Sequence, residues 1–358
     1  MRVAVLGAGN GGVASAFDFA RHGHDVALYG PPEYGDNVVA VNRAGGISAS
    51  GELEGFAPVR YAGHDAAEAM DGAELVLLVG PAYGTEALAA KAGPHVTEDM
   101  AVLICPGSCA GAIAFKRAVG LALDDPHHVV GETSTLPYAV RVTEPGVVRV
   151  FHKLTSGVYL AGLPRAGTER LYALVRDVWP AVEPAESVFQ TTLQNGNPVI
   201  HPAVTLLNAG LLERTGGRFL FYEEGVTEAV GRLIEAVDKE RLAIAAGLGV
   251  TILSEPALGV RQGYMREENY STGYSTAPGF LGIGAQNRLD HRYLTEDVGY
   301  SLVFLSDLAA RLGVPTPVMD SVIAITSVVL ARDLTAEGKR TMSTLGLDDM
   351  SPEQLAAL

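Results

Sequence analysis

Basic residues are scarce in this chain: 26 lysines and arginines stand against 41 aspartates and glutamates, leaving a net charge of -15. The few that exist form no cluster able to neutralise a phosphate backbone, so nucleic acid is excluded as a partner. Long apolar runs are missing as well. No stretch approaches the roughly 18 residues needed to span a bilayer, and Asp18 and Arg21 interrupt the amino-terminal apolar segment too early for a signal peptide. No membrane association is expected, and the chain is expected in the cytoplasm. Cysteine is limited to Cys105 and Cys109 in CPGSC. With no histidine beside them they cannot complete a structural zinc site, and a disulfide would be out of place in a reducing compartment. They read as small buried residues at a strand-to-helix turn, and no metal is expected.

What is abundant is glycine, with 42 residues, and its placement at the start of the chain carries the most information. MRVAVLGAGNGG is an apolar strand (Val3, Val5, Leu6) running into Gly7-x-Gly9-x-x-Gly12, with Asn10 and Gly11 between the last two glycines. In a dinucleotide loop the first glycine makes the tight turn, the second lets the backbone approach a pyrophosphate, and the third lets the following helix pack close to the sheet. Small residues from Ala14 to Ala20 continue the helix, Gly23-His24 stops it, and Asp25 to Tyr29 reads as a second strand. The loop therefore sits in a strand-helix-strand unit of the right length for a nicotinamide or flavin cofactor.

A length of 358 residues suits two domains, each with its own core. ELVLLVG at Glu74 to Gly80 and Met100 to Ile104 look like strands covered on both faces, with helices over Tyr83 to Ala92 and Gly111 to Gly120. Further short strands are expected at His128 to Gly131, Val147 to Phe151 and Gly157 to Leu160, carrying the sheet domain to about residue 165. The fold class is thus α/β, a Rossmann-type doubly wound domain over 1–165, a connecting helix in 166–184 ending at Pro180, and an all-α domain over 185–358. Helical periodicity covers Pro202 to Leu212, Gly225 to Ala246, Asp297 to Leu312 and Pro317 to Ala331, with Glu235, Asp238, Lys239 and Glu240 on a solvated face of the longest. Gly263 to Arg292 is a long polar and aromatic segment without periodicity, and a loop of that length commonly covers a site.

Two segments of the second half could carry chemistry. Gln194 to Pro202 (QNGNPVIHP) places two asparagines and His201 around a helix start, with Pro202 in the first turn pinning the histidine. An imidazole there can serve as general acid or base. Arg292-Tyr293-Leu294-Thr295-Glu296-Asp297-Val298 closes the long loop and opens a helix. An arginine fork suits a substrate carboxylate, and an aspartate on an imidazole fixes its tautomer. The same two residues could equally form an ordinary ion pair and N-cap.

Taken in order, LGAGNGG, GETST at Gly131 to Thr135, NGNPVIHP at Asn195 to Pro202, LLNAG at Leu206 to Gly210, RYLTEDV at Arg292 to Val298 and VPTP at Val314 to Pro317 resemble the octopine/nopaline/opine dehydrogenase family almost end to end. The likeness is greatest to its bacterial N-(1-carboxyethyl)amino-acid (norvaline-type) branch. The resemblance implies a 6-phosphogluconate-dehydrogenase-like helical domain. It implies an enzyme that condenses an amino acid with a 2-oxo acid, usually pyruvate, and reduces the imine with NADH or NADPH. It also implies that His201 is catalytic, Asp297 its partner, Arg292 the carboxylate clamp and Asn197 a neighbour of the histidine.

The second strand ends Leu28-Tyr29-Gly30, where an NAD-preferring loop would place an acid for the ribose hydroxyls. Tyr29 and Gly30 are therefore expected to face the ribose, and the missing acid tilts the choice slightly to NADP over NAD. A ketopantoate reductase or glycerol-3-phosphate dehydrogenase would need a lysine on entering the second domain, and residues 186–238 contain none. A non-catalytic dinucleotide-binding protein would not need His201, Asp297 and Arg292 together. The surplus of apolar helices in the second half points to a homodimer.

Overall fold

The computed structural model describes residues 1–33 and 35–358, and the chain divides into two compact units, residues 1–191 and 192–357. Among the described residues the first contains twelve strands: β1 (Arg2–Leu6), β2 (Asp25–Tyr29), β3 (Gly46–Gly51), β4 (Gly55–Pro58), β5 (Tyr61–Gly63), β6 (Leu75–Leu78), β7 (Ala101–Ile104), β8 (Val129–Thr133), β9 (Tyr138–Glu144), β10 (Val147–Lys153), β11 (Val158–Leu163) and β12 (Val182–Pro184). Eight form one sheet in the order β12-β11-β8-β7-β6-β1-β2-β5. The six strands from β5 to β8 are parallel, in the register Leu6 opposite both Tyr29 and Leu78. β1 lies between β2 and β6, so successive strands are added first on one side and then on the other. This reversal is the topological switch point at which such sheets bind ligands. Val5, Leu6, Val76 and Leu77 are wholly buried, as expected of strands covered on both faces.

Three expectations for this unit need correction. The Thr168–Val175 helix packs on β11 and β12; it is part of the first unit, which runs past 165 to Thr191. β10 was expected in the main sheet but belongs to a separate four-stranded sheet, β4-β3-β10-β9. Its partner strands, GISASG, GFAP and YAVRVTE, are short, small-residue or polar, so their pairing leaves little periodic trace. This second sheet supports the glycine loop, because Asn10 Oδ1 accepts from Val142 N at 2.8 Å and Asn37 bridges Ala8 O (2.7 Å) and Gly146 N (3.2 Å).

The second unit is helical, with Asn197–Leu207, Ala209–Thr215, Glu228–Leu248, Val303–Leu312 and Pro317–Leu330 as its main helices. The segment expected as one helix from Pro202 to Leu212 is two. Asn208 lies at the break, where its Nδ2 donates to Val204 O and Gly225 O, each at 2.9 Å. No helix among the described residues is long and apolar enough to cross a membrane.

Candidate active site

In the first unit the loop after β1 is built by backbone. Gly7 has φ +118°, and a Cβ there would lie 2.0 Å from Val79 O; Gly7 N donates to Tyr29 O at 2.9 Å. A Cβ on Gly12 would lie 1.7 Å from Gly7 O, whereas one on Gly9 would meet nothing within 4 Å. The first and third glycines are thus required by packing, and the second leaves open space beside the start of the Asn10–Arg21 helix. That helix has no side-chain N-cap and no acid in its first turn. Its free N–H groups and positive dipole end make it an anion site. The residues present therefore fit a dinucleotide pyrophosphate. Gly11 is close-packed, its Cβ position 3.0 Å from Leu136 and Val79 side chains. The ring of Tyr29 is buried in the core, so this residue acts through its carbonyl on Gly7; the expectation that it faces the ribose is corrected. Gly30 follows β2 directly, with its Cβ position 2.9 Å from Ala8 Cβ.

The CPGSC turn has both cysteines buried and neither in a disulfide, and burial pushes the Cys105 thiol up to about 12. It is a poor nucleophile at neutral pH. Glu132 of GETST is fully buried and reaches back to the start of the Gly111–Ala118 helix, accepting from Ala112 N at 2.8 Å and from Thr191 Oγ1 at 2.6 Å.

The second unit holds a buried histidine–aspartate pair. His201 lies in the fifth position of the Asn197–Leu207 helix, so Pro202 is inside that helix and the turn is pinned instead by Pro198. Asn197 opens the helix, its N–H donating to Asn195 Oδ1 at 3.1 Å. His201 Nδ1 meets Asp297 Oδ2 at 2.7 Å with both residues buried. The pairing requires Nδ1 to carry the proton, which leaves the Nε2 lone pair to accept from the Tyr222 hydroxyl at 3.2 Å. Burial, Tyr293 and Glu255 hold the Tyr222 phenol well above its ordinary range, so it remains a neutral hydroxyl. Tyr293 stacks on the imidazole at 3.9 Å and 23°.

Asp297 reaches the histidine through a local irregularity. His291 caps the short Arg292–Thr295 helix; Asp297–Leu302 is then a π-helical turn, with Ser301 N reaching back to Glu296 O at 3.2 Å. Such turns re-aim side chains and are common at functional sites. Arg292 pairs with Glu296: its Nε lies 3.2 Å from the buried carboxylate while its own side chain is 43 % exposed. His291 was not anticipated. Burial, then Arg292 and His201, press its imidazole down to about 4. Its Nδ1 accepts from Tyr293 N at 3.4 Å, so the ring is a neutral Nε2–H donor at neutral pH.

The long loop contributes an aromatic stack. Phe280 stacks on Tyr222 at 4.2 Å and on Tyr264 at 5.0 Å. Tyr222 was also unanticipated, since FYEEG lies in a segment without periodicity. Asp238, expected on a solvated face, is fully buried against Arg241, with Arg241 Nε on Asp238 Oδ1 at 2.7 Å. Among the described residues no cluster of three or more His, Cys, Asp or Glu side chains could hold a metal ion.

A dinucleotide loop on a doubly wound sheet, in a chain whose helical unit presents a buried histidine–aspartate couple, defines a two-domain NAD(P)-dependent oxidoreductase. Residues 184–330 match the family model described as NAD/NADP octopine/nopaline dehydrogenase, alpha-helical domain. The chain is 33 % identical over 356 residues to an opine dehydrogenase of Arthrobacter sp. (strain 1C), covering 97 % of this chain and 96 % of that one. It is 30 % identical to the protein ocs of Agrobacterium tumefaciens (strain Ach5), covering 97 % and 96 %. Octopine dehydrogenase solved with NADH and agmatine shares the fold, with a TM-score of 0.77 at 18 % identity over 92 % of this chain and 90 % of that one. So does yersinopine dehydrogenase with NADP+, at 0.71 and 17 % over 99 % and 96 %. The chain belongs to the opine dehydrogenase family. Its reaction is the reductive condensation of an amino acid with a 2-oxo acid using NAD(P)H, and it acts on CH–NH bonds.

Proposed function

We propose that His201 is the general acid of imine formation, that Asp297 orients and charges it, and that Arg292 holds the carboxylate of the 2-oxo acid. The observation that carries this reading is the buried couple itself, His201 Nδ1 on Asp297 at 2.7 Å with Nε2 directed to the Tyr222 hydroxyl. The carboxylate stabilises the protonated ring. Nε2–H can then donate to the oxygen of the carbinolamine, which leaves as water. Tyr222, a neutral phenol at this nitrogen, can hold that oxygen or pass the proton. Arg292 pairs with Glu296 through Nε, an arrangement that aligns its planar fork for a bidentate carboxylate contact. Asn197 is assigned to the same site through its place at the start of the His201 helix. Gly7, Gly9, Asn10, Gly11, Gly12 and Gly30 hold the dinucleotide, and the reduced nicotinamide supplies the hydride when bound.

The 2-oxo acid is pyruvate and the product an N-(1-carboxyethyl) amino acid; support comes from the resemblance to that branch and from an octopine dehydrogenase solved with NADH and pyruvate. NADP is the preferred cofactor, since β2 ends at Tyr29 and is followed by Gly30, with no acid at this position. The two buried cysteines, neither in a disulfide, suit the reducing cytoplasm. A homodimer is supported by the exposed apolar side chains Ile325, Val328 and Val329 on the Pro317–Leu330 helix; Val328→Asp would then yield monomers by light scattering. The decisive test of the activity is NAD(P)H oxidation with L-alanine, L-norvaline, L-phenylalanine, L-arginine and L-glutamate in turn. Turnover must require both the amino acid and pyruvate; oxidation by pyruvate alone would indicate a simple 2-oxo-acid reductase.

A further inference from the structure

Glu255 is the first residue of the Glu255–Arg261 helix, capped by Ser254. A glutamate at such a position is ordinarily placed in solvent, where it complements the helix dipole. Here the residue is 5 % exposed, and its Oε2 is buried without a hydrogen-bond partner. A buried carboxyl oxygen left unpaired is costly, so its retention calls for a ligand that satisfies it.

The surroundings say which kind. The carboxyl lies against Gly196, the N-cap of the helix that carries His201, where a Cβ would come 2.9 Å from Glu255 Oε1. Glycine is the residue that leaves room for it. The Tyr222 phenol that touches His201 Nε2 feels Glu255 more strongly than it feels Asp297. Four groups face this carboxyl: Asp238 and Arg241 on the long helix, Tyr222, and Tyr270. Arg241, the cation among them, is committed elsewhere. Its Nε and Nη2 meet Asp238 Oδ1 at 2.7 and 2.6 Å, and its remaining hydrogen bonds go to Leu193 O and Leu253 O. Asp238 Oδ2 is itself filled by the Glu255 N–H at 2.8 Å and the Tyr270 hydroxyl at 2.7 Å. Asp238 is thus satisfied internally, while Glu255 beside it has an oxygen to offer a cation.

We propose that Glu255 is the amine-binding residue of the site: its carboxylate receives the α-ammonium group of the amino-acid substrate and takes the proton that must leave before nitrogen can attack the 2-oxo carbon. This rests on the condensation reaction described above. In the step, one ammonium N–H bond breaks, its electron pair stays on nitrogen as the attacking lone pair, and the proton ends on Glu255. A cation and an anion become a neutral amine and a neutral acid, which suits a buried site. Burial and Asp238 push the Glu255 carboxyl up to about 8, near enough to an ammonium group for the transfer, where an ordinary carboxylate would be too weak a base.

The test compares wild type, Glu255→Gln and Glu255→Asp, using pyruvate and the fastest substrate among L-alanine, L-norvaline, L-phenylalanine, L-arginine and L-glutamate, from pH 6.5 to 9. In the wild type, kcat/KM for the amino acid should rise with pH and level off above about 8, as the carboxyl ionises. Glu255→Gln should raise the amino-acid KM by about 10-fold or more, the scale of a lost charge-assisted hydrogen bond. It should also flatten that pH profile while leaving the pyruvate KM near its wild-type value. Glu255→Asp keeps the acid on a shorter arm and should retain the pH profile at weaker affinity, which covers the case of a Gln variant that does not fold. An unchanged amino-acid KM and pH profile in Glu255→Gln would overturn the assignment. So would equal losses for both substrates with the profile retained, or an Asp variant without the profile. Absence of any amino-acid-dependent turnover in the wild type would instead remove the condensation reading itself.

Discussion

The two units build their sites from different materials. The dinucleotide loop is made of backbone: Gly7 and Gly12 are required because a Cβ would meet carbonyl oxygens at 2.0 and 1.7 Å, and the anion site is a helix end without a side-chain cap. The helical unit relies on side chains far apart in sequence, with His201 meeting Asp297 across 96 positions and Glu255 set beside Asp238 and Arg241. A backbone site is intolerant of atoms added where its glycines are close-packed. A side-chain site tolerates changes of shape better than the loss of one proton or one charge.

The contrast breaks most sharply at glycine. Gly12→Ala has no space for its methyl and should abolish NADPH binding, or folding of the unit, as read by NADPH fluorescence and thermal melting. Gly9→Ala, with nothing within 4 Å, should melt normally and lose only cofactor affinity. If both behaved alike, the second glycine would not face the pyrophosphate.

In the helical unit, His201→Asn should keep the fold and the NADPH affinity yet lower kcat by roughly 10²- to 10⁴-fold, the scale of a positioned proton donor. Asp297→Asn should also be defective. The double variant should be barely worse than the worse single one, because coupled residues do not lose independently. Additive losses in this cycle would show that the two act separately.

Arg292→Lys keeps the charge and loses the fork, so the pyruvate KM should rise by about 10-fold with NADPH binding untouched. An unaltered pyruvate KM would make Arg292 a structural partner of Glu296.

Stability provides a further contrast. The carboxyl of Glu255 is raised to about 8 in the folded protein from an ordinary 4.5, so it stays neutral where the unfolded chain ionises. Its contribution to stability is full below about 4.5, falls as pH rises, and is exhausted above about 8. Relative to wild type, Glu255→Gln should therefore gain melting temperature progressively over that interval and then hold the gain. A constant difference at all pH values would mean an ordinary carboxyl.

The smallest effect is expected at the ribose. Gly30→Asp adds an acceptor and repels a 2'-phosphate, but its Cβ would lie 2.9 Å from Ala8 Cβ and should weaken both cofactors. The NADH to NADPH ratio of kcat/KM is the quantity to compare, and it should move several-fold toward NADH by the charge argument. No change in the ratio would show that the position does not face the ribose.

How much was legible follows the same division. The glycine loop, β1, β2, β6 and β7, and the long helix could be read directly because their determinants are local: a turn that needs glycine, and periodic burial of neighbouring residues. His201, Asp297 and Arg292 were visible as residue types in unusual segments, though the geometry of Pro202 was misjudged and Arg292 turned out to pair with Glu296. Tyr222, His291 and Glu255 were not legible, since nothing in their own segments distinguishes them from surface polar residues. Asp238 was misread for the same reason; a charge on a helix looks solvated until the partner that buries it, Arg241, is seen to turn inward with it.

The sequence by itself determined that a dinucleotide loop opens an α/β unit, that a helical unit follows, and that a histidine and an acid in two marked segments could work together. These follow from short-range sterics and periodicity, which are written in consecutive residues. Only the tertiary structure decided that Asn10 and Asn37 tie the loop to a second sheet, and that a π turn aims Asp297 at His201. It alone decided that Glu255 lies buried with an unsatisfied oxygen. Those depend on which distant groups share a low-dielectric space, where each hydrogen bond or charge is decided by its neighbours in three dimensions and not by its neighbours in the chain.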